Sequence, residues 1–261
     1  MTCLYCDPDG RFPNHHPDPT LPDAVRDLRA KTLEMKADAG IGFDGDGDRI
    51  GVIDEKGNII WVDTLLILYA RDLLKRRPGS RVIFDVKCSH LCAVEIEKAG
   101  GVPVMWKTGH SLIKKKMREE NAPLAGEMSG HVCFADGYFG YDDATFAACR
   151  LVQILSRADR TLSELLADIP KTCATPEIRI ECPDEKKFEI VEDLKRYFSA
   201  RYDTLDIDGV RVIFRDGWGL IRPSNTQPVL VMRFEAETPG RLEEIKGLVA
   251  GKLREYLPVE I

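Results

Sequence analysis

Apolar residues recur along the first two thirds of the chain with two periods, one helical and one extended. Leu21, Val25 and Leu28 have the spacing of an amphipathic helix, which we predict over 22–36. Short apolar runs bounded by turn residues predict strands. The predicted strands are 39–43, 50–53, 81–86, 102–106 and 124–125, and the other predicted helices are 64–77, 89–99, 111–120 and 142–156. This alternation favours an α/β layer fold.

The pattern changes near Lys171. The order after that point is a strand over 175–181, a helix over 184–200, three clustered strands between 210 and 235 and a terminal helix from 241. Such an order is typical of an α+β domain. We therefore divide the chain into segments 1–58, 59–171 and 172–261. Within the second segment, Asp63 is expected to cap the helix over 64–77.

Composition narrows the class of protein. The chain has 261 residues, is 44% hydrophobic and 31% charged, and suits a soluble globular protein with one large or two modest cores. Its net charge of −6 argues against a nucleic-acid surface. No apolar run predicts a membrane span, and no secretory signal is recognised, so a cytoplasmic location is expected. The eight cysteines are then expected to stay reduced.

The segment with the clearest chemistry is Asp44-Gly45-Asp46-Gly47-Asp48-Arg49, between two predicted strands. Three carboxylates held on so short a loop repel one another unless a cation lies among them, and oxygen ligands suit magnesium or calcium. We predict a metal loop with Asp44, Asp46 and Asp48 as ligands. A solvated turn is the alternative for Asp-Gly pairs.

Calcium in a helix-loop-helix hand is a further alternative for this loop. Asp44, Asp46, Asp48 and Glu55 fall at positions one, three, five and twelve of such a hand. The glycine required at position six is Arg49, however, and the flanking runs resemble strands. Magnesium is therefore favoured.

Two further loops have binding chemistry. Glu127, Ser129 and His131 lie within a glycine-bracketed hexapeptide, where a carboxylate, a hydroxyl and an imidazole can hydrogen-bond a polyol and move a proton. The segment 218–228 is expected to be a loop between strands that clamps phosphate. Its donors would be Arg222, Ser224, Asn225 and Thr226. An ordinary polar turn and an ordinary hairpin loop remain the alternatives.

Lys87 and His110 follow predicted strands, at the strand ends where α/β sheets bind ligands. Taken singly, each side chain is more often simply solvated. We treat Lys87 and His110 as candidate binding residues because the other loops also have binding chemistry.

Six segments together resemble the phosphohexomutase superfamily, most closely its bacterial phosphomannomutase/phosphoglucomutase enzymes. They are residues 9–17 (DGRFPNHHP), 44–49 (DGDGDR), 85–88 (DVKC), 106–111 (WKTGHS), 126–131 (GEMSGH) and 222–226 (RPSNT). In that family four domains surround a cleft. A phosphoserine on the first domain donates its phosphoryl group to a glucose or mannose phosphate, and glucose 1,6-bisphosphate acts as activator.

The resemblance implies a role for each candidate residue. Asp44, Asp46 and Asp48 would hold Mg²⁺. Lys87 and His131 would act in catalysis close to the transferring group. Substrate contacts are implied for Arg49, Lys87, His110, Glu127, Ser129 and His131, and a grip on the non-reacting phosphate for Arg222, Ser224, Asn225 and Thr226.

The chain departs from the family pattern in lacking the serine loop. Its Ser-His pair, Ser89-His90, precedes Leu91-Cys92 at a predicted helix start, and we interpret Ser89 as a cap. The resemblance then assigns 1–58 to the back of the second family domain, 59–171 to the third and 172–261 to the fourth. Aggregation or domain swapping through 1–58 is expected.

Three hypotheses follow for function. The first is the carboxyl-terminal part of a hexose-phosphate mutase, interconverting hexose 1- and 6-phosphates in the whole enzyme but inactive alone. The second is a non-catalytic module that binds sugar phosphate and magnesium. The third is a calcium-loaded interaction protein that uses Asp44 to Glu55.

Overall fold

A computed structural model describes residues 1–7 and 9–258. The helices are α1 (Arg26–Met35), α2 (Val62–Arg76), α3 (Leu91–Lys98), α4 (His110–Glu120), α5 (Ala144–Arg157), α6 (Leu162–Leu165), α7 (Asp184–Ser199) and α8 (Pro239–Leu253). The strands are β1 (Ala39–Phe43), β2 (Ile50–Asp54), β3 (Ile59–Ile60), β4 (Arg81–Asp85), β5 (Val102–Trp106), β6 (Leu124–Gly126), β7 (Val132–Phe134), β8 (Cys173–Ala174), β9 (Ile178–Glu181), β10 (Asp203–Leu205), β11 (Val210–Phe214), β12 (Gly217–Pro223) and β13 (Val229–Ala236). The chain folds into two compact units, Met1–Ile169 and Pro170–Ile261.

The first unit contains two sheets. β1, β2 and β3 form an antiparallel sheet, and a second sheet has the strand order β5-β4-β6-β7. In the second sheet β4 pairs in parallel with both β5 and β6, whereas β7 is antiparallel to β6. The carboxyl ends of three parallel strands therefore meet at one edge, and the loops that leave this edge are close together.

Strand alternation sorts the core residues of the second sheet between its two faces. Val82 and Phe84 join a core with α2, α3 and α5, whereas Ile83 joins a smaller core with α4. Ile50 and Val52 of β2 belong to the first of these cores. The β1–β2 hairpin and the parallel sheet thus share one apolar core. The segment boundaries near 58 and 171 stay predictions.

The second unit is an antiparallel sheet with helices on one face. Its strand order is β10-β11-β12-β13-β8, and β9 also pairs with β13. Residues from α7 and α8 pack with the sheet residues Val212, Ile221 and Phe234. The mixed α/β first unit and the smaller α+β second unit confirm the predicted fold class.

Several predicted element ends are wrong, and hydrogen bonds explain two of them. Asp63 does not cap α2, which begins at Val62; its carboxylate accepts the amide N–H of Thr64 at 2.8 Å and of Ser89 at 3.1 Å. α5 begins at Ala144, because Asp143 is the N-cap and accepts from Phe146 N. Of the predicted strand over 175–181, only Ile178–Glu181 forms a strand, which is β9, and β8 precedes it at Cys173–Ala174.

No helix in the described part of the chain combines the length and the apolarity that a membrane span requires. Among these residues none of the eight cysteines forms a disulfide. Leu33, Met35 and Phe43, on α1 and β1, are exposed. Aggregation or domain swapping through this part of the chain stays a prediction.

Gly209 gives a test of packing in the second unit. Its φ is +76°, and an added Cβ would lie 2.2 Å from the carbonyl oxygen of Ile221. We expect Gly209→Ala to lower the free energy of unfolding by about 2–4 kcal/mol, because left-handed strain and a backbone clash add. Urea unfolding followed by circular dichroism measures this change.

The matched control is Gly247→Ala, in the middle of α8 and with open space around its Cα. We expect it to stabilise the unit by up to about 1 kcal/mol, since alanine is the better helix former. Equal effects of the two substitutions would contradict this account of Gly209.

Candidate functional site

The loop 44–49 connects β1 to β2 and is closed around the buried carboxylate of Asp44. Asp44 Oδ1 accepts the amide N–H groups of Gly47, Asp48 and Arg49 at 3.0–3.1 Å. Asp44 Oδ2 accepts from Arg49 Nε at 2.7 Å. Burial opposes ionisation of Asp44, but Arg49 outweighs it and holds the pKa of this carboxyl below its usual range. The first aspartate therefore shapes the loop.

The donor set of this loop fits a hard divalent cation. Carboxylate oxygens of Asp44, Asp46 and Asp48 all lie within 4.8 Å of one another. Burial and the neighbouring charges of Asp44 and Asp46 raise the pKa of Asp48, although His131 opposes the shift. A bound cation would remove this repulsion, and a ligand set made of oxygens alone suits magnesium.

The calcium hand predicted as an alternative is wrong. Strands β1 and β2, and not helices, flank the loop. The carboxylate of Glu55 accepts from the amide and the hydroxyl of Ser163. The position-twelve ligand thus has another partner, and it is not part of the aspartate cluster.

A backbone bridge seats the aspartate loop against the loop that follows β6. Arg49 and His131 form an isolated antiparallel bridge, and Ile50 donates its N–H to Gly130 O at 3.0 Å. Gly130 has a φ of +107°, and a Cβ there would lie 2.9 Å from Arg49 Cβ. Glycine is therefore needed at this crossing. The bridge brings His131 Nδ1 to 3.5 Å from Asp48 Oδ2.

Glu127 is buried with one of its oxygens lacking a hydrogen bond. Its side chain is 1% exposed, and Oε1 accepts the amide N–H of Gly109 at 2.6 Å. Oε2 has no partner. Burial, with help from the charge of Asp85, raises the pKa of Glu127 to about 7. An orphan acceptor of this kind suits a ligand that brings hydroxyl donors. Ser129, two residues on, is half-buried.

Asp142 joins the two histidines of the site. Its Oδ2 lies 2.9 Å from His110 Nδ1 and 3.1 Å from His131 Nδ1, and its Oδ1 accepts from Lys114 Nζ at 2.6 Å. The two imidazole rings are stacked, with centroids 5.4 Å apart. Burial lowers the pKa of His131, but Asp142, Glu127 and Asp48 outweigh it and raise that pKa overall. The protonated imidazole is therefore favoured.

Lys87 and Arg49 supply positive charge to this unit. Lys87 is buried, with Nζ 3.8 Å from Asp85 Oδ2. Arg49 is partly buried, and besides its contact with Asp44 it donates from Nη1 to Asp18 Oδ2 at 3.1 Å. The first unit thus brings together all the predicted metal ligands with Arg49, Lys87, His110, Glu127, Ser129 and His131.

The predicted phosphate clamp lies in the second unit, and part of it is not a loop. Arg222 and Pro223 are the last residues of β12, so the connecting loop is only 224–228. Arg222 donates from Nε to Asp208 Oδ2 at 2.8 Å. Ser224 Oγ accepts amide N–H groups of Thr226 and Gln227 at 3.3 and 3.2 Å.

Asn225 and Thr226 are exposed on that loop. Those two N–H groups already donate to the Ser224 hydroxyl, so the accessible donors of the tip are the side chains of Asn225 and Thr226. Such a tip suits an anion.

Three acidic residues of these sites were not singled out from the sequence: Asp85, Asp142 and Asp208. Asp85 lies two residues before Lys87 in the segment 85–88, which carries part of the family resemblance, and this is the only sequence signal that points to Asp85. Asp142 and Asp143 adjoin at a helix start, so their pattern indicates only a cap. Asp208 stands before a glycine, as in many turns.

The pKa of Glu127 makes the stability of the first unit depend on pH. Glu127 is protonated in the folded state up to about pH 7, whereas its ordinary pKa is 4.5. Its contribution to stability is present below pH 4.5 and is lost as pH rises to about 7, because across this window the folded state holds a proton that the unfolded state has released. The loss amounts to about 3 kcal/mol.

We expect Glu127→Gln to lack this loss. The measurement is urea unfolding of wild type and variant from pH 4.5 to 8, with Glu119→Gln on the exposed face of α4 as the matched control. The free-energy difference between Glu127→Gln and wild type should grow in favour of the variant across that window. Parallel curves for the two proteins would contradict the assignment.

The chain matches three family models in sequence order. Residues 1–57 match phosphoglucomutase/phosphomannomutase alpha/beta/alpha domain II, residues 61–173 match alpha/beta/alpha domain III, and residues 177–252 match the C-terminal domain. A phosphomannomutase/phosphoglucomutase of Pseudomonas syringae pv. tomato is 50% identical over 258 residues, which are 98% of this chain and 55% of that protein. The chain thus spans about half the length of the curated relatives it matches.

Comparison with solved structures agrees with the family models. A phosphoglucomutase/phosphomannomutase family protein from Burkholderia thailandensis superposes with a TM-score of 0.89 at 44% identity, covering 97% of this chain and 54% of that one. The N-acetylphosphoglucosamine mutase of Aspergillus fumigatus, solved in complex with GlcNAc-6P and magnesium, shares the fold at 18% identity and a TM-score of 0.63. That alignment covers 93% of this chain and 53% of the mutase. Because its domains match the three family models and its near relatives are members, the chain belongs to the phosphoglucomutase/phosphomannomutase family of phosphohexomutases.

Proposed function

We propose that this chain supplies the metal-, sugar- and phosphate-binding parts of a phosphohexomutase that interconverts hexose 1-phosphate and hexose 6-phosphate. The observation on which this mainly rests is the backbone bridge that seats the three-aspartate loop against Glu127 and His131. Glucose and mannose phosphates are the proposed substrates. The near relatives, named for phosphomannomutase and phosphoglucomutase activity, support this choice.

Asp44, Asp46 and Asp48 are the proposed ligands of Mg²⁺. When bound, the cation would offset negative charge on the transferring phosphoryl group. Magnesium in the Aspergillus mutase supports the choice of ion. Arg49 contributes a guanidinium beside the same loop, where it can face a phosphate while its Nε stays on Asp44.

The sugar is proposed to lie against Glu127 and Ser129. Among the described residues Glu127 Oε2 has no hydrogen-bond partner, and in its ionised form the carboxylate can accept from two adjacent sugar hydroxyls. The hydroxyl of Ser129 can bridge to the same polyol. Lys87 and His110 leave the neighbouring strand ends and are proposed to contact substrate from the same edge of the sheet.

His131 is the proposed proton carrier, with Lys87 as a second catalytic residue. His131 Nδ1 lies 3.1 Å from Asp142, so the imidazolium is stabilised and Nε2 is the atom that can exchange a proton with a sugar hydroxyl. The ammonium of Lys87 is a fixed positive charge in a buried setting, which favours a phosphoryl oxygen as partner.

The clamp formed by Arg222, Ser224, Asn225 and Thr226 is proposed to hold the phosphate that does not react. Arg222 Nε donates to Asp208 Oδ2, and the two terminal nitrogens of this buried guanidinium are the proposed phosphate donors. One clamp can accept the phosphate from either end of the sugar. A bisphosphorylated sugar could then turn over in the site and return its second phosphate to the serine. Glucose 1,6-bisphosphate is the proposed activator, and its complex with the Aspergillus mutase supports this choice.

The phosphoserine is proposed to come from outside the matched domains. Ser89, of the Ser-His pair, is buried, and its Oγ accepts the amide N–H of Leu91 at the start of α3. The N-cap of α3 is His90, so the predicted cap position of Ser89 is wrong by one residue, and its buried, hydrogen-bonded hydroxyl makes Ser89 a poor nucleophile. The alternative function, a non-catalytic module for sugar phosphate and magnesium, uses the same contacts without turnover.

The deciding experiment measures turnover and binding on the same protein. We expect no conversion of glucose 1-phosphate to glucose 6-phosphate with Mg²⁺ and trace glucose 1,6-bisphosphate. Calorimetry should detect glucose 1-phosphate binding that Arg222→Ala weakens by about tenfold or more. Turnover abolished by Asp46→Ala would mean that a nucleophile lies in these residues. A folded protein that does not bind hexose phosphate would contradict the proposal.

Metal binding is tested with a matched pair of acidic substitutions. We expect Asp46→Asn to weaken Mg²⁺ binding by at least about tenfold, because it removes a ligand charge. Glu55→Gln should leave the affinity unchanged, since Glu55 bonds to Ser163. Titration with Mg²⁺, and with Ca²⁺ in parallel, measures both. Micromolar calcium binding that depends on Glu55 would contradict this account of the loop.

A further inference from the structure

Asp85 is a fully buried carboxylate at the edge of the sheet where the candidate sugar site lies. It is the last residue of β4, a central strand in the order β5-β4-β6-β7. Oδ1 accepts from Met128 N at 3.2 Å and from Cys88 Sγ at 3.1 Å. Oδ2 accepts from Thr108 Oγ1 at 3.0 Å and lies 3.8 Å from Lys87 Nζ. Donors and a cation thus surround both oxygens.

These partners belong to three different loops. Lys87 and Cys88 follow β4, Thr108 follows β5, and Met128 follows β6. Lys87 lies in the first loop and Glu127 in the third, and the second loop leads directly into His110 at the start of α4; all three residues are proposed to bind substrate. Thr108 also precedes Gly109, whose N–H donates to Glu127 Oε1. A single side chain therefore connects the backbones from which the sugar contacts project.

We propose that Asp85 is a positioning residue for the hexose site, which sets the relative placement of Lys87, His110 and the Glu127 loop so that they fit one sugar ring. The inference rests on the proposed function and adds to it a residue that does not itself touch substrate.

Charge as well as shape is required of this residue. Met128 N–H and the Lys87 ammonium cannot accept a hydrogen bond, whereas the Thr108 hydroxyl can. An asparagine of equal size can keep its oxygen toward Met128 and turn its amide toward Thr108, but it then presents N–H groups toward Lys87. Asp85→Asn therefore keeps the volume of the site while it removes the negative charge that faces Lys87 and acts on Glu127.

The test separates recognition of the sugar from recognition of phosphate. Affinities of the 261-residue chain for glucose 1-phosphate and for glycerol 3-phosphate are measured by calorimetry with Mg²⁺, and their ratio is compared between variants. Wild type should prefer the hexose by about tenfold or more, since several charged hydrogen bonds to the ring are involved. Asp85→Asn should bring the ratio close to one while affinity for glycerol 3-phosphate is retained.

Asp54→Asn is the matched control. Asp54 is also a buried carboxylate in the first unit, at the end of β2, where it accepts from Lys56 N, Asn58 N and Asn58 Nδ2. This substitution removes the same charge from a similar set of donors, and the hexose preference should not change. A merely structural effect would lower stability in both variants without changing the ratio.

Thr108→Val and Thr108→Ser decide the matter if Asp85→Asn does not fold. Valine removes the hydroxyl that donates to Asp85 and should reduce the hexose preference several-fold, while serine keeps the hydroxyl and should retain it. A wild-type preference in folded Asp85→Asn, or in Thr108→Val, would overturn the positioning role. A wild type that binds both phosphates equally would instead overturn the proposed function.

Discussion

Arg49 and His131 form a two-residue antiparallel bridge, and Ile50 donates its amide to Gly130 next to it. This contact joins the hairpin of the first sheet to the loop of the second. Because backbone atoms make it, the relative position of the two loops does not depend on a flexible side chain. The aspartate cluster, His131 and Glu127 are placed together by it, and the absent side chain of Gly130 makes the approach of Arg49 Cβ possible.

The polar groups gathered around that bridge are held at some cost to stability. Burying a carboxylate is unfavourable unless donors surround it, and Asp85 and Asp142 meet this condition through N–H, O–H, S–H and cationic partners. Glu127 meets it only in part, since one of its oxygens has no hydrogen bond. A partner supplied by a ligand would complete the network. The incompletely satisfied residue is thus the one expected to bind.

In the second unit, too, a carboxylate and a glycine position the candidate binding residues. Asp208 holds Arg222 at one nitrogen, and Gly209 lets the turn pack directly against the backbone of the strand that contains Arg222. Ser224 then arranges amide groups at the tip of the loop. A rigid strand end with an ordered tip keeps the loss of entropy on binding an anion small.

The chemistry of the loops and the order of the longer helices and strands follow from the amino-acid sequence alone. Asp44, Asp46 and Asp48 are close because glycines separate them, and Glu127, Ser129 and His131 are close because six residues contain them, so local spacing was sufficient. Spacing also argued against a calcium hand, because Arg49 stands where that hand needs a glycine; the strands on either side and the Ser163 contact of Glu55 agree with this.

Asp85 and Asp142 could be recognised only from the tertiary structure. Asp142 meets His110 across 32 positions and Asp85 meets Met128 across 43, and such contacts depend on strand order and on the sheet edge where parallel strands end. Spacing along a chain reports neighbours within a turn or a strand. Which distant loops share a carboxylate is decided by how the sheets pack.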